Sequence, residues 1–415
     1  MMVTDYNYTF FYPSKAVGGA QILFSRIAEM LIHEGNRVTI LGPSSSYINL
    51  YLSERGLHYD SYEVSTTSPY HTNEDSFFIL SLSYILLFHK YIKPDSNVKL
   101  FFWDLHPYAV LENLSFSKFY KLTDRNIWIN VLKLIERSFI VKMSTLLERG
   151  HQKGGIHFMC YRNFKINKDF FSLDFEPSYI PLPIEVAPIA TAFKSNFRDI
   201  CWMSRLDNDK TPILQLLMED VIEYNNHYNE KLRLHIIGDG NDRVSIETIA
   251  KKYDSIFILV GTIKNDCLLS FFVKENILLG FGMGTSSLEF ASRGIASVLV
   301  PSSTESIFYK NKVRRYMYLK DVKGYDVAVE KFHYEEGILL AFPNIIDTFS
   351  SNKMNESLHY VSSAHHKDKV FHLLRNKINN NTLTFGDIYS TGVLKINFFQ
   401  KLKEIVKKIN GKKYG

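Results

Sequence analysis

The chain has 415 residues, 46% hydrophobic and 22% charged, too long for one ordinary core and too apolar for a disordered protein. Its three cysteines, Cys160, Cys201 and Cys267, lie far apart and exclude a disulfide framework or a zinc knuckle, which suits a reducing compartment. Most of the net charge of +6 sits in Asn397–Gly415, where six lysines face one glutamate, so the body is nearly neutral and a general nucleic-acid binder is excluded.

In chain order, the apolar segment Tyr8–Tyr12 reads as a strand and Pro13–Gly19 as a loop. A helix of apolar period, Ile22–His33, leads to the strand Val38–Leu41, giving the β-loop-α-β start of a doubly wound sheet. The longest apolar run, Phe77–Phe88, has 12 residues and is read as a buried helix, well short of the roughly 20 residues that span a bilayer. Lys99–Trp103 and Ile156–Cys160 read as buried strands. Four prolines in the twelve residues Pro177–Pro188 mark an interdomain linker, because proline neither continues a helix nor sits inside a sheet. Five further strands follow, Ile200–Met203, Leu232–Ile237, Ile256–Val260, Ile277–Leu279 and Ser297–Val300, at a spacing that suits βαβ units. Asn379–Thr382 is a polar loop, and Phe398–Ile409 reads as an amphipathic terminal helix. The N-terminus has no basic region followed by an apolar run, so no signal peptide is expected.

The densest chemical signal is Asn276–Pro301. A strand there feeds a turn holding Gly280, Gly282 and Gly284, and a helix opens at Thr285–Ser286 and stops at Gly294. Such a turn presents backbone N–H groups and a positive helix end to an anion, with Thr285, Ser286 and Ser287 as the donors. Glu289, one turn further on, could hold ribose hydroxyls; it also completes a Ser286–Glu289 capping box, which would explain it equally well. Ser204–Lys210 follows the strand Ile200–Met203 and places Arg205 and Lys210 where α/β sheets bind phosphates. Two cations and a helix end can neutralise a diphosphate leaving group without metal; the bland alternative is a solvated loop. Asp207-Asn208-Asp209 also matches a short metal-binding pattern, but Arg205 and Lys210 compete for its charge and no metal is expected.

Three further constellations are weaker. Gly18-Gly19 precedes the first helix, as a ligand-approach loop or a plain turn. Asp104 and His106 end the strand at Lys99–Trp103, where a histidine serves as acid, base, sugar hydrogen-bond donor or structural cap. Gly238-Asp239-Gly240 closes one strand as a tight turn or a ligand loop, and Gly261-Thr262-Ile263 closes the next, where exposed backbone could pair with a base.

Taken together, these segments resemble the GT-B glycosyltransferases of the large family that builds bacterial surface polysaccharides such as O-antigen and capsule. The family's G-R-L-D-x-x-K-G signature is matched at Ser204–Thr211, its G-D-G turn at Gly238–Gly240, and its E-G-F-G-x-x-x-x-E-A segment from Phe281. The resemblance implies an α/β GT-B architecture, two Rossmann-like domains facing an interdomain cleft, with an acceptor domain at 1–182, a donor domain at 183–395 and a basic helix and tail at 396–415. It also implies Arg205 and Lys210 on the donor diphosphate, Glu289 on ribose, Ile263 by the base and His106 on the transferred sugar. Gly18, Gly19, Gly238 and Gly284 join the donor-binding candidates, and His106 and Asp104 are the catalytic ones. Phe281 replaces the family's first glutamate, Ser204 and Thr211 replace glycines, Phe290 an alanine and Ala296 a proline.

The expected activity is transfer of a hexosyl or deoxyhexosyl group from a nucleoside diphosphate sugar to a lipid-linked surface glycan, with retention, without metal and without a cofactor. The alternatives are an epimerase on the same fold and an inactive glycan- or nucleotide-binding subunit. The protein is expected in the cytoplasm, with its lysine-rich tail on the anionic inner face of the plasma membrane.

Overall fold

The structure, a computed structural model, describes residues 6–13, 19–72, 75–111, 114, 131, 133–188, 198–229, 231–302, 312–330, 333 and 338–395. Two compact units result, one from the described parts of 1–181 and 371–415, the other from those of 182–370.

In the first unit the strands are β1 (Asn7–Phe11), β2 (Arg37–Leu41), β3 (Asp60–Tyr62), β4 (Tyr70–His71), β5 (Ser76–Ser81), β6 (Ile92–Lys93), β7 (Lys99–Asp104) and β8 (Ile156–Phe158). Six of them form a parallel sheet in the order β3-β2-β1-β5-β7-β8, and β4 pairs with β6. A parallel sheet buries both faces, so its central strands read as continuous apolar runs. That explains one misreading. Phe77–Phe88, expected as a buried helix, begins with the wholly buried strand β5, followed by short 3₁₀ turns at Leu82–Tyr84 and Phe88–Lys90. A short apolar run has no period that separates a two-sided strand from a buried helix.

The second unit holds β9 (Asp199–Met203), β10 (Arg233–Ile237), β11 (Phe257–Gly261), β12 (Leu279–Gly282), β13 (Ala296–Leu299) and β14 (Met317–Tyr318) in the order β11-β10-β9-β12-β13-β14. All pairs are parallel except β13 with β14. Helices Thr211–Tyr228, Arg243–Ala250, Asn265–Lys274 and Thr285–Ser292 connect the parallel strands. Ile200, Trp202, Leu234, Ile236, Leu279, Phe281 and Val298 form the middle of its core.

The expected boundary at 395 needs correction, because the chain rejoins the first unit from Phe371. Leu100 N donates to Leu383 O at 3.0 Å, Asn381 Nδ2 donates to Leu100 O at 3.0 Å, and Lys153 Nζ lies 2.8 Å from Asp387 Oδ1. Leu383 occupies backbone of β7 that β8 does not reach, a long-range pairing with no local sequence mark. The expected terminal helix Phe398–Ile409 lies outside the described residues. Among the described residues, no helix is long and apolar enough to cross a membrane.

Candidate functional site

In the second unit the chain leaves β9 for β10 and β11 on one side, then returns to lay β12 against the other side of β9. The loops after β9 and β12 therefore run apart, and the carboxyl end of a parallel sheet opens a crevice at such a switch point. Arg205 and Lys210 follow β9, and Gly284 to Ser287 follow β12.

The β9 loop is seated on backbone. Ser204 N donates to Ile237 O at 3.1 Å, Leu206 N to Asp239 O at 2.9 Å, and Asp242 N to Leu206 O at 2.8 Å. A Cβ on Gly238 would stand 1.8 Å from Ser204 O, and one on Gly240 would stand 2.4 Å from Leu206 O. Gly238, a donor-contact candidate, is required to be glycine by this close approach, and its φ of +144° also favours glycine. Gly238→Ala should destabilise the protein by about 1–3 kcal/mol in denaturant titration, as overpacking does, and an unchanged midpoint would refute the role.

The two cations of the loop differ in setting. Arg205 is 68% exposed, with Nη1 2.6 Å from Asp207 Oδ2, whereas Lys210 is 21% exposed. Lys210 Nζ lies 3.1 Å from Met283 Sδ and 3.5 Å from Asp209 Oδ2. Asp207 also accepts from Asn241 N at 3.2 Å, so the Asp207-Asn208-Asp209 carboxylates are engaged with neighbouring donors. Among the described residues, no group of three or more His, Cys, Asp or Glu side chains could hold a metal ion.

On the β12 side the structure moves two glycines out of the expected turn. Gly280 and Gly282 belong to the strand, and Gly284 alone turns the chain, at φ +65°. A Cβ on Gly280 would stand 2.4 Å from the Phe290 ring, so this glycine lets the helix Thr285–Ser292 lie on the strand through Phe290. Gly284 is the residue before that helix and its N donates to Val327 O at 2.7 Å. Thr285 is exposed and Ser286 half-buried, and the helix start has no side-chain cap. Its first N–H groups have no partner within the helix and suit an anion. Ser287 is buried and its hydroxyl donates to Gly284 O at 2.7 Å, leaving its backbone rather than its side chain to a ligand.

The Ser286–Glu289 capping box does not form, because Gly284 rather than Ser286 precedes the helix. Glu289 instead pairs with Arg293 one turn on, both side chains being largely buried. Glu289→Gln should lower the melting temperature, because it removes the charge facing the buried Arg293. If the carboxylate also holds ribose, KM for the donor should rise well below that temperature; normal donor kinetics would assign Glu289 to the Arg293 pair alone. Ile263 is half-buried and, like Met203, Val260 and Phe271, packs against the buried cluster that holds Ile237, Phe272 and Phe290, just beyond the end of β11. Phe281 is fully buried, its ring 5.5 Å from Tyr316 and 5.7 Å from Phe342. The place of the family's first glutamate is therefore core, where a carboxylate would lose its hydration.

In the first unit, Gly18 lies outside the described residues. Gly19 opens the helix Gly19–His33, is exposed, and a Cβ there would meet nothing within 4 Å. His106 is exposed on the turn after β7; its Nδ1 accepts the Tyr108 N–H at 3.3 Å, which leaves the neutral ring's proton on Nε2. Asp104, expected as a catalytic partner, is wholly buried. It accepts from His106 N at 3.4 Å and from Asn167 Nδ2 at 2.9 Å, and burial pushes its carboxyl well above the usual range. It shapes the His106 turn and does not face solvent. The sequence reading also missed the switch point of this sheet, between β1 and β5. Tyr12 and Tyr84 stand there with ring centroids 5.4 Å apart, and the Ser81 and Ser83 hydroxyls are 2.6 Å apart. Reading β5 as a helix hid them; polar residues directly after an apolar strand were the signal.

No family model matches the chain, and no curated protein matches it in sequence. Solved structures do. A glycosyltransferase from Rickettsia africae ESF-5 aligns over 91% of this chain and 98% of its own, at 10% identity and a TM-score of 0.55. The trehalose-6-phosphate synthase OtsA aligns over 90% of this chain and 99% of its own, at 12% identity and a TM-score of 0.50. The fold is GT-B. Within this GT-B chain the second unit brings Lys210 to the glycine turn through Met283, while Arg205 stands further out on the same loop. His106 belongs to the first unit.

Proposed function

We propose that the protein is a glycosyltransferase that takes a hexosyl or deoxyhexosyl group from a nucleoside diphosphate sugar. The observation that carries this reading is Lys210 Nζ at 3.1 Å from Met283, which joins a cation to an uncapped helix start at the switch point of a parallel sheet. A diphosphate leaving group gains charge as the glycosidic bond breaks, and Lys210, Arg205 and the N–H groups of Thr285 and Ser286 would offset it, so the reading needs no metal. Glu289 would hold ribose, the backbone by Ile263 the base, and His106 the transferred sugar. The acceptor in this reading is a lipid-linked surface glycan of the O-antigen or capsule type, with retention of configuration. The tail lysines would add attachment to an anionic inner membrane. The fold shared with a protein described as a glycosyltransferase agrees with this reading.

Thermal-shift measurements against nucleosides, nucleoside diphosphates and nucleotide sugars test it. A matching diphosphate should stabilise the protein by about 2.7 kcal/mol at about 100 times its Kd, and its nucleoside much less. No stabilisation by any member of the panel would overturn the reading. The buried Phe281 favours one rival, a nucleotide-binding subunit without turnover. Intact donor after long incubation with acceptors, despite tight binding, would select that rival.

A further inference from the structure

We infer that Arg243 reads the base of the donor and selects a nucleoside diphosphate whose base carries a keto group, uracil or guanine, over one with an amino group in that place. The inference rests on the nucleotide-sugar reading above and adds a side chain to the backbone contact by Ile263. Arg243 opens the helix Arg243–Ala250, directly after the loop that closes β10. The phosphate loop is seated on that same loop, through Leu206 N to Asp239 O and Asp242 N to Leu206 O. Arg243 therefore stands one strand further along the sheet edge than Arg205 and Lys210, toward β11.

Two acids hold its guanidinium. Nε donates to Glu247 Oε1 at 2.6 Å and Nη1 to Asp239 Oδ2 at 2.9 Å, while Asp239 Oδ1 accepts from Gly240 N at 2.8 Å. Among the described residues Nη2 has no partner, and the Arg243 side chain is 42% exposed. Gly261, the last residue of β11, keeps the space beside the guanidinium open. A Cβ there would meet Arg243 Nη1 at 3.8 Å and no other described atom within 4 Å. Gly261 also ends a bulge, since Ile236 pairs with Leu259 but Ile237 with Gly261, and its φ is +79°. An extra residue of this kind bends a strand end and is common beside ligand sites. Thr262 follows it exposed.

Both carboxylates already accept N–H groups, so what Arg243 adds toward a ligand is donors. Guanine offers O6 with N7 to such a group, and uracil offers O4. Adenine and cytosine put an amino group at the matching position, which sets donor against donor. A phosphate suits the place less well, because Asp239 and Glu247 already offset the charge of the guanidinium.

Isothermal titration of the full chain with UDP, GDP, ADP and CDP tests the inference. Wild type should bind UDP or GDP about tenfold more tightly than ADP and CDP, the scale of one hydrogen bond from a charged donor. Arg243→Met keeps the length of the side chain and removes its donors. It should lose about tenfold on the preferred diphosphate and nothing on ADP or CDP, whereas an arginine that only shapes the loop would weaken all four alike. Should Arg243→Met fold poorly, nucleosides with wild type decide, because uridine or guanosine should keep the same advantage over adenosine and cytidine without any phosphate. A preference for ADP or CDP, equal affinity across the four, a uniform loss in the variant or no loss at all would overturn the inference. Binding of none of the four would sink the nucleotide reading and this inference with it; binding without base preference would sink this inference alone.

Discussion

His106→Ala should lower kcat by about 10²–10⁴-fold, the span of a lost acid or base, with donor affinity essentially unchanged. The residue is exposed on the turn after β7, and its ring orientation is set locally. Tyr108 N–H occupies Nδ1, which puts the neutral ring's proton on Nε2. His106→Gln retains hydrogen-bonding capacity but cannot gain or lose a proton near neutral pH. Near wild-type turnover in Gln with loss in Ala would make His106 a positioning group; near wild-type turnover in both would remove it from the reaction. Asp104→Asn offers a contrast. The buried carboxyl lies well above its usual range, so a neutral amide of the same shape should leave turnover close to wild type if Asp104 only shapes the turn.

Lys210→Ala should weaken nucleoside diphosphate binding by about ten- to a hundredfold, equivalent to roughly 1.5–3 kcal/mol for a charge-assisted contact, and leave nucleoside binding largely intact. Arg205→Ala should act in the same direction but less strongly. Arg205 is three times as exposed, at 68% against 21%, and pairs with Asp207 at 2.6 Å. An exposed pair is screened by water and salt, whereas Lys210 is half-withdrawn beside Met283. Isothermal titration with the diphosphate and the nucleoside separates the effects. Equal diphosphate affinity in wild type and both variants would eliminate the phosphate site at the end of β9.

Much of the architecture was legible because its signals are local. The strands at β1, β2, β7, β9, β10, β11 and β13 are short apolar runs bounded by turn residues, and their register with the helices announces βαβ units. The strand ends named Arg205, Lys210 and the Gly284 turn, since ligands in such sheets lie beyond carboxyl ends. What remained depended on residues distant in sequence. The first part of Phe77–Phe88 could be assigned to the strand β5 only once β1 and β7 flanked it on both sides. Gly280 needs to be glycine because Phe290 packs over it, not because the chain turns there. Glu289 finds Arg293 rather than a cap because the helix begins two residues earlier than a Ser286 cap allows. Asp104 looked like a rim carboxylate and is buried under Asn163 and Asn167 of a later helix. The return of the chain at Phe371 rests on hydrogen bonds from Leu100 to Leu383 and from Asn381 to Leu100, residues nearly three hundred positions apart. The sequence by itself determined the strand–helix alternation and the chemistry available at the strand ends, because hydrophobic period and turn preference act over a few residues. Tertiary structure alone decided which polar groups are buried, which glycines are sterically required and which charges meet, because those depend on contacts between segments far apart in the chain.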